Sequence, residues 1–359
     1  MYISAYYFGQ SMVDDALDRS DTRRLQITGG STYIVSLPKR WVVQHGLVAK
    51  DEVRIEWRPS GTLRIIPEGS SVRKRREVEI LLDELPEVVI LDHLIAAYLA
   101  GAQLIRIQTM TGFTRDHRRI FRKFVQSTRG VEIANESDRI IEMVTLLSPS
   151  EMPIHSSINR MYLLISSQIR DIVEVLSGGT QSILDDTAER EREVDALRLL
   201  LERQIGQILE SSRIEDTLGT SRWEAAEIGN IVRTLERMGD HTYNMSKLLI
   251  EQNVPRKLSV GERPLSVIPI WQNSIKSLIA NLRRHDVKQI HDAKEALTSA
   301  GLRLQEFEAS LWEGVKETQE ALFLDKLSES LRRLCAYSVD MAEILLNIDA
   351  HRNASEVTI

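Results

Sequence analysis

Apolar positions recur along this chain at two different spacings, and the change from one to the other divides it. Between residues 22 and 67 they come in short runs of β type: Leu25-Gln26-Ile27, Tyr33-Ile34-Val35, Val53–Trp57 and Leu63-Arg64-Ile65-Ile66. Turn residues at Gly29-Gly30 and Pro59-Ser60-Gly61 separate the runs. Pro38 suits the first turn of a helix and Gly46 its end, so residues 38–45 read as one short helical turn. From 77 to 147 the spacing alternates, with strands at 78–82, 104–108, 131–135 and 140–147 and helices at 88–99 and 116–128. That β-α-β-α-β-β order predicts a small α/β sandwich. After Pro149 and Pro153 the period is helical throughout, with segments near 155–177, 180–212, 221–251, 266–284, 286–319 and 321–348.

The expected organisation is multidomain. Residues 1–20 show no period and read as a flexible arm, 21–76 as a β-rich module, and 77–150 as the α/β middle domain. Residues 151–254 and 255–359 then form a repeat of about 95 residues, three helices in each copy. Four short strands and one helical turn enclose too little apolar volume for a core of their own, so the first module calls for a partner chain. The basic run Arg73-Lys74-Arg75-Arg76 reads as a solvated linker.

Composition narrows the class. A chain of 359 residues with 42% hydrophobic and 27% charged positions is long enough for several folded domains and is not of the disordered kind. The single cysteine, Cys335, excludes an intramolecular disulfide framework and a Cys-cluster zinc site, and fits a small core position in a reducing compartment. No apolar run reaches the ~20 residues that span a bilayer, and no basic-then-apolar leader is present. A cytoplasmic protein with no membrane insertion is therefore expected.

Net charge is −6, but its distribution is uneven. Residues 21–76 hold 12 Lys/Arg against 5 Asp/Glu, whereas residues 151–359 hold 25 against 33. A basic N-terminal module suits a polyanion, and an acidic helical half suits cations or basic partners.

The helical half also contains the chain's most informative stretch, Leu235-Glu236-Arg237-Met238-Gly239-Asp240-His241-Thr242-Tyr243-Asn244. Glu236, Asp240 and Asn244 are four apart and share one helical stripe. A second pair at the same spacing, Glu191 and Asp195, lies in the preceding long helix, so packing the two helices together brings four carboxylates close. Two ionised carboxylates about 5 Å apart repel by roughly 3 kcal/mol at an effective dielectric near 20. Solvent relieves this if the stripes face water, and a cation relieves it if they face each other. Gly239, a residue that costs roughly 1 kcal/mol in a helix interior, indicates a close approach at that height.

Leu-Glu-Arg-Met-Gly-Asp-His-Thr-Tyr-Asn resembles the signature of the PhoU family, phosphate-signalling regulators built from two three-helix bundles whose Glu/Asp-x-x-x-Asp motifs bind metal clusters. The resemblance covers roughly residues 155–348. It implies metal ligation by Glu191, Asp195, Glu236 and Asp240, with iron, zinc, manganese or magnesium as the ion. Aligning the two copies sets Arg332 over Glu236, Ala336 over Asp240 and Asp340 over Asn244, and the fifth helix offers Asp292 and Glu295 without an acid four residues on. The second copy departs from the family pattern, so only the first bundle is expected to carry a cluster.

Thr-Gly-Gly-Ser-Thr-Tyr-Ile-Val-Ser-Leu-Pro-Lys-Arg-Trp, with Asp51-Glu52-Val53 and Gly61-Thr62-Leu63 beyond it, resembles the AbrB/SpoVT swapped-hairpin DNA-binding domain. Such domains form interleaved homodimeric barrels, which implies a homodimer or higher homo-oligomer. Arg23, Arg24, Lys39 and Arg40 lie within or beside the motif and are the implied contacts to DNA. The middle segment is similar to the region that archaeal-type PhoU-like regulators carry between these two parts.

The composite implies a non-enzymatic, phosphate-responsive transcriptional regulator with metal-linked signalling. Two alternatives compete. One is a PhoU-type adaptor that binds a sensor kinase or a phosphate transporter without DNA. The other is a carboxylate-bridged metal enzyme, which the lack of any Glu-x-x-His pair in residues 155–359 disfavours.

Overall fold

The computed structural model describes residues 21–57, 62–67, 75–148, 152–252, 257–313 and 318–354. The expected arm at 1–20 and the turn at 59–61 lie outside them. The chain divides into two compact units, Met1–Lys74 and Arg75–Ile359.

In the first unit, β1 (Gln26–Thr28) and β2 (Thr32–Ile34) form an antiparallel hairpin. Gly29 and Gly30, both at positive φ, make the turn that L side chains resist. Helix α1 (Lys39–Gln44) follows Pro38 as its N-cap. A second antiparallel hairpin pairs β3 (Val53–Trp57) with β4 (Leu63–Pro67). The two hairpins form separate two-stranded sheets, and among the described residues they close no barrel. Not one described residue of this unit is buried. Ile27 is 64% exposed and Trp57 84%, and the best covered apolar strand positions, Val53, Ile65 and Ile66, are only partly buried among the described residues.

The second unit opens with a four-stranded sheet of order β5-β6-β8-β7, built from β5 (Glu77–Leu81), β6 (Leu104–Gln108), β7 (Val131–Glu136) and β8 (Ile140–Thr145). Only the β5–β6 pair is parallel, joined by the crossover helix α2 (Ile90–Leu99), and α3 (Arg115–Ser127) connects β6 to β7. Tyr98, Phe121, Phe124, Ile105 and Ile141 fill the core between sheet and helices.

Among the described residues, seven α-helices follow: α4 (Ile154–Leu176), α5 (Thr187–Glu210), α6 (Ser212–Leu218), α7 (Arg222–Glu251), α8 (Ile268–Arg284), α9 (Val287–Leu311) and α10 (Thr318–Asn353). The short α6, closed by Gly219 in the left-handed conformation, occupies the gap that periodicity leaves between the segments expected at 180–212 and 221–251. One continuous hydrophobic core runs through both sets of three helices. Trp271 Nε1 of α8 donates to Ser338 Oγ of α10 at 3.0 Å, and Ser338 Oγ lies 3.9 Å from Met238 Sδ of α7, so the two bundles meet through polar as well as apolar contacts.

The α/β layer is bound into this helical body. Leu199 of α5 belongs to the sheet core. Arg203 of α5, 4% exposed, donates to the carbonyls of Tyr98 and Ala102 at the end of α2, and its guanidinium lies 4.8 Å from the Tyr98 ring centroid. Arg76 is anchored as well, donating to the Ala100 carbonyl and pairing with Glu210. Its part of the basic run is thus a joint between layers and not a solvated linker.

Candidate functional site

Helix α7 is central to the second unit, packing on α5 and α4 of its own bundle and on α10 of the other. Met238, Gly239 and Thr242 turn inward, and Asn244 is exposed. A Cβ added at Gly239 would stand 3.1 Å from Val194 Cγ1 of α5. The glycine therefore marks the close approach of the helix that carries the second acidic pair.

Glu191, Asp195, Glu236 and Asp240 all lie half-buried along this contact. Each carboxyl is pushed above its ordinary pKa, by burial first. Like charge adds to the effect: Asp195 and Asp240 act on Glu191, Asp240 and Asp195 on Glu236, and Asp195 on Asp240. The four acids thus sense one another across α5 and α7, as expected for two stripes that face each other.

One residue that periodicity did not single out sits among them. Arg198 Nε is 3.5 Å from Glu236 Oε1, and the guanidinium lowers the pKa of Asp195, Glu236 and Asp240. The same side chain donates to Glu202 at 3.0 Å, and Glu202 also pairs with Arg233. Arg198 Nε is enclosed without a hydrogen-bond partner among the described residues. Its spacing, three residues after Asp195 and seven after Glu191, places it on the same helical stripe, and that is the sequence signal that could have found it.

Oxygen donors alone, partly withdrawn from water, match the preference of a hard cation. As they stand, no three Asp, Glu, His or Cys side chains among the described residues converge to hold a metal ion. The Arg198 guanidinium supplies counter-charge to Asp195, Glu236 and Asp240, with Arg192 acting on Glu191 and Arg237 on Glu236.

The second bundle inverts this arrangement. Arg332, aligned over Glu236, donates from Nε to both carboxylate oxygens of Glu308 on α9, at 3.1 and 3.0 Å. Base and acid have exchanged helices. Asp292 and Glu295 are exposed on α9, and Glu295 pairs with His291 at 3.2 Å.

In the first unit, Arg23, Arg24, Lys39 and Arg40 are all exposed. Arg23 and Arg24 lead into β1, with Arg23 paired to Asp21 at 3.3 Å. Lys39 and Arg40 share the first turn of α1 and line, with Val43 and Gln44, a cleft of about 500 Å³.

Among the described residues, no helix is long and apolar enough to cross a membrane. No curated protein matches the chain. The family model of the PhoU domain matches residues 158–249, which hold all four acids and Arg198 but none of the second bundle. The model of the bacterial antitoxin MazE, described as antidote-toxin recognition, matches residues 26–73. Both are regulatory and not enzymatic families. The chain thus joins a MazE-antitoxin-type module of the AbrB kind to a PhoU domain.

Proposed function

We propose that the protein is a phosphate-responsive transcriptional regulator that binds DNA as a dimer through residues 21–76 and couples this to cation binding in its PhoU domain. The observation that carries the reading is the state of the first unit. It has no buried side chain among its described residues, yet it exposes two hairpins' worth of apolar positions and a basic surface. A second copy interleaving its hairpins buries those positions and doubles the set Arg23, Arg24, Lys39 and Arg40 presented to phosphates.

In the helical half, Glu191, Asp195, Glu236 and Asp240 would hold the cation. Such an ion would neutralise the acidic stripes and staple α5 to α7. Its presence is the signal-linked variable in this reading.

The test is DNA affinity of the full chain as a function of salt. Each phosphate contact contributes about −0.9 to the log–log slope, so the triple change of Arg23, Arg24 and Arg40 to Ala is expected to weaken binding and flatten that slope. Affinity indifferent to both salt and the triple change would sink the DNA assignment, and sedimentation as a folded monomer at low micromolar concentration would sink the dimer.

The MazE match favours one second reading. Its description names antidote-toxin recognition, which suits an adaptor whose first unit covers a protein partner, such as a sensor kinase or a phosphate-transport component. Absence of DNA binding at every salt concentration selects that reading.

A further inference from the structure

The first helices of the two bundles, α4 and α8, pack against each other and leave a cleft of about 610 Å³ between them. His155, Ser156 and Asn159 line it from the first turns of α4, and Lys276, Ile279 and Arg283 from α8. No acidic residue is among its lining. Among the described residues, neither Lys276 nor Arg283 has a hydrogen-bond or ion-pair partner.

The charge around His155 is one-sided. Arg283, Arg352 and His285 all oppose its protonation, adding to the effect of burial, and the one acid acting on it is Glu224. Glu224 is already paired with Arg352. His155 Nδ1 is enclosed without a hydrogen-bond partner among the described residues. The same end of the cleft receives the N-terminus of α4, 23 residues long and without a side-chain cap, whose partial positive charge adds to the field.

A solvated basic face does not account for this. Arg283 and Arg284 complement the C-terminal dipole of α8, but Lys276 lies two turns earlier, and His155 belongs to the other helix. Uncompensated cations around a concave site raise the local concentration of anions. The volume lies in the range of small-molecule sites and exceeds what a bare phosphate ion fills. Leu163 and Ile279 supply an apolar wall beside the cations.

We propose that the α4–α8 cleft binds a small organic phosphate of nucleotide size. Its phosphoryl group is held by Lys276, Arg283 and the first turn of α4, and its apolar part lies along Leu163 and Ile279. Ser156 and Asn159 are placed to hydrogen-bond the intervening polar atoms. This goes beyond the regulatory reading above and depends on neither its DNA contact nor its cation.

The test is titration calorimetry of the full chain with inorganic phosphate, AMP and ATP as separate probes. The wild-type chain is expected to bind a nucleotide at least about tenfold more tightly than inorganic phosphate, a difference of about 1.4 kcal/mol. The double charge reversal Lys276→Glu/Arg283→Glu is expected to lose at least that factor, while an unchanged melting temperature shows that the fold is intact. If the double variant fails to fold, Asn159→Leu, which keeps the cations but removes a hydrogen-bonding group, is expected to weaken nucleotide more than inorganic phosphate. Absence of binding by all three probes in the millimolar range overturns the site. Equal affinity for all three overturns the organic ligand, and nucleotide affinity unchanged by the variants overturns the residue assignment.

Discussion

Arg198 on α5 stands with Nε 3.5 Å from Glu236 Oε1 on α7, and in the second bundle Glu308 and Arg332 join the corresponding helices with the charges exchanged. The guanidinium therefore supplies countercharge to the acidic cluster. Arg198→Ala is expected to lower stability in metal-free buffer and to enlarge the stabilisation brought by a divalent cation. A cation bound only to the folded state contributes about 2.7 kcal/mol at 100 times its dissociation constant, and without Arg198 it relieves more repulsion. Melting curves with and without manganese check this, and a metal-dependent rise no larger than that of the wild type contradicts it.

The proposed cation site is asymmetric, and two isosteric changes separate its halves. Asp240→Asn removes a charge from the facing stripes and is expected to abolish metal uptake without lowering metal-free stability. Asp340→Asn is expected to leave metal content unchanged, because Arg332 and Ala336 stand where acids would be needed. Metal analysis of both purified variants decides the matter: equal losses refute a site confined to the first bundle.

Gly239 faces Val194, a buried β-branched residue with little rotamer freedom in a helix. Gly239→Ala gains about 1 kcal/mol of helix propensity but crowds a contact of 3.1 Å, and overpacking of this kind costs about 1–3 kcal/mol. The single variant is expected to be destabilised by roughly 1 kcal/mol. In a Val194→Ala background the same change should become neutral or stabilising. Denaturant titrations of the four-member cycle provide the measurement, and equal effects in both backgrounds rule out the contact as the cause.

Alkaline stability is expected to depend on two buried neutral acids. Burial raises the Cys335 thiol from 9.0 to about 12 and, as the largest effect on it, the Tyr98 hydroxyl from 10.0 to about 12. The unfolded chain releases these protons first, so the folded state holds more of them across that window and loses stability as pH rises through it. Below the ordinary values neither group contributes. The thiol alone is expected to remove roughly 1.4 kcal/mol one unit above its ordinary pKa. Cys335→Ala should show a shallower decline between neutral pH and roughly pH 10, and an identical decline would exclude the thiol as a contributor.

The sequence by itself determined which faces are apolar, where most elements lie and which two domain types its segments resemble. A 3.6 period flanked by Gly178-Gly179 and Gly219 needs only local rules to read, and so does a pair of glycines at positive φ between two short β runs. Gly239 even announced a close approach. The tertiary structure alone decided what meets each face and at what height along it. It set Arg198 among the acids, made Arg203 the joint between the α/β layer and α5, and gathered Lys276, Arg283 and His155 around one cleft. It also left every described residue of the β-rich unit short of full burial. The physical reason is that periodicity encodes how a helix or strand divides its own surface between core and water, whereas an ion pair or a cleft depends on the axial offset between two elements. That offset is fixed by the packing of many apolar side chains together, and no local pattern carries it.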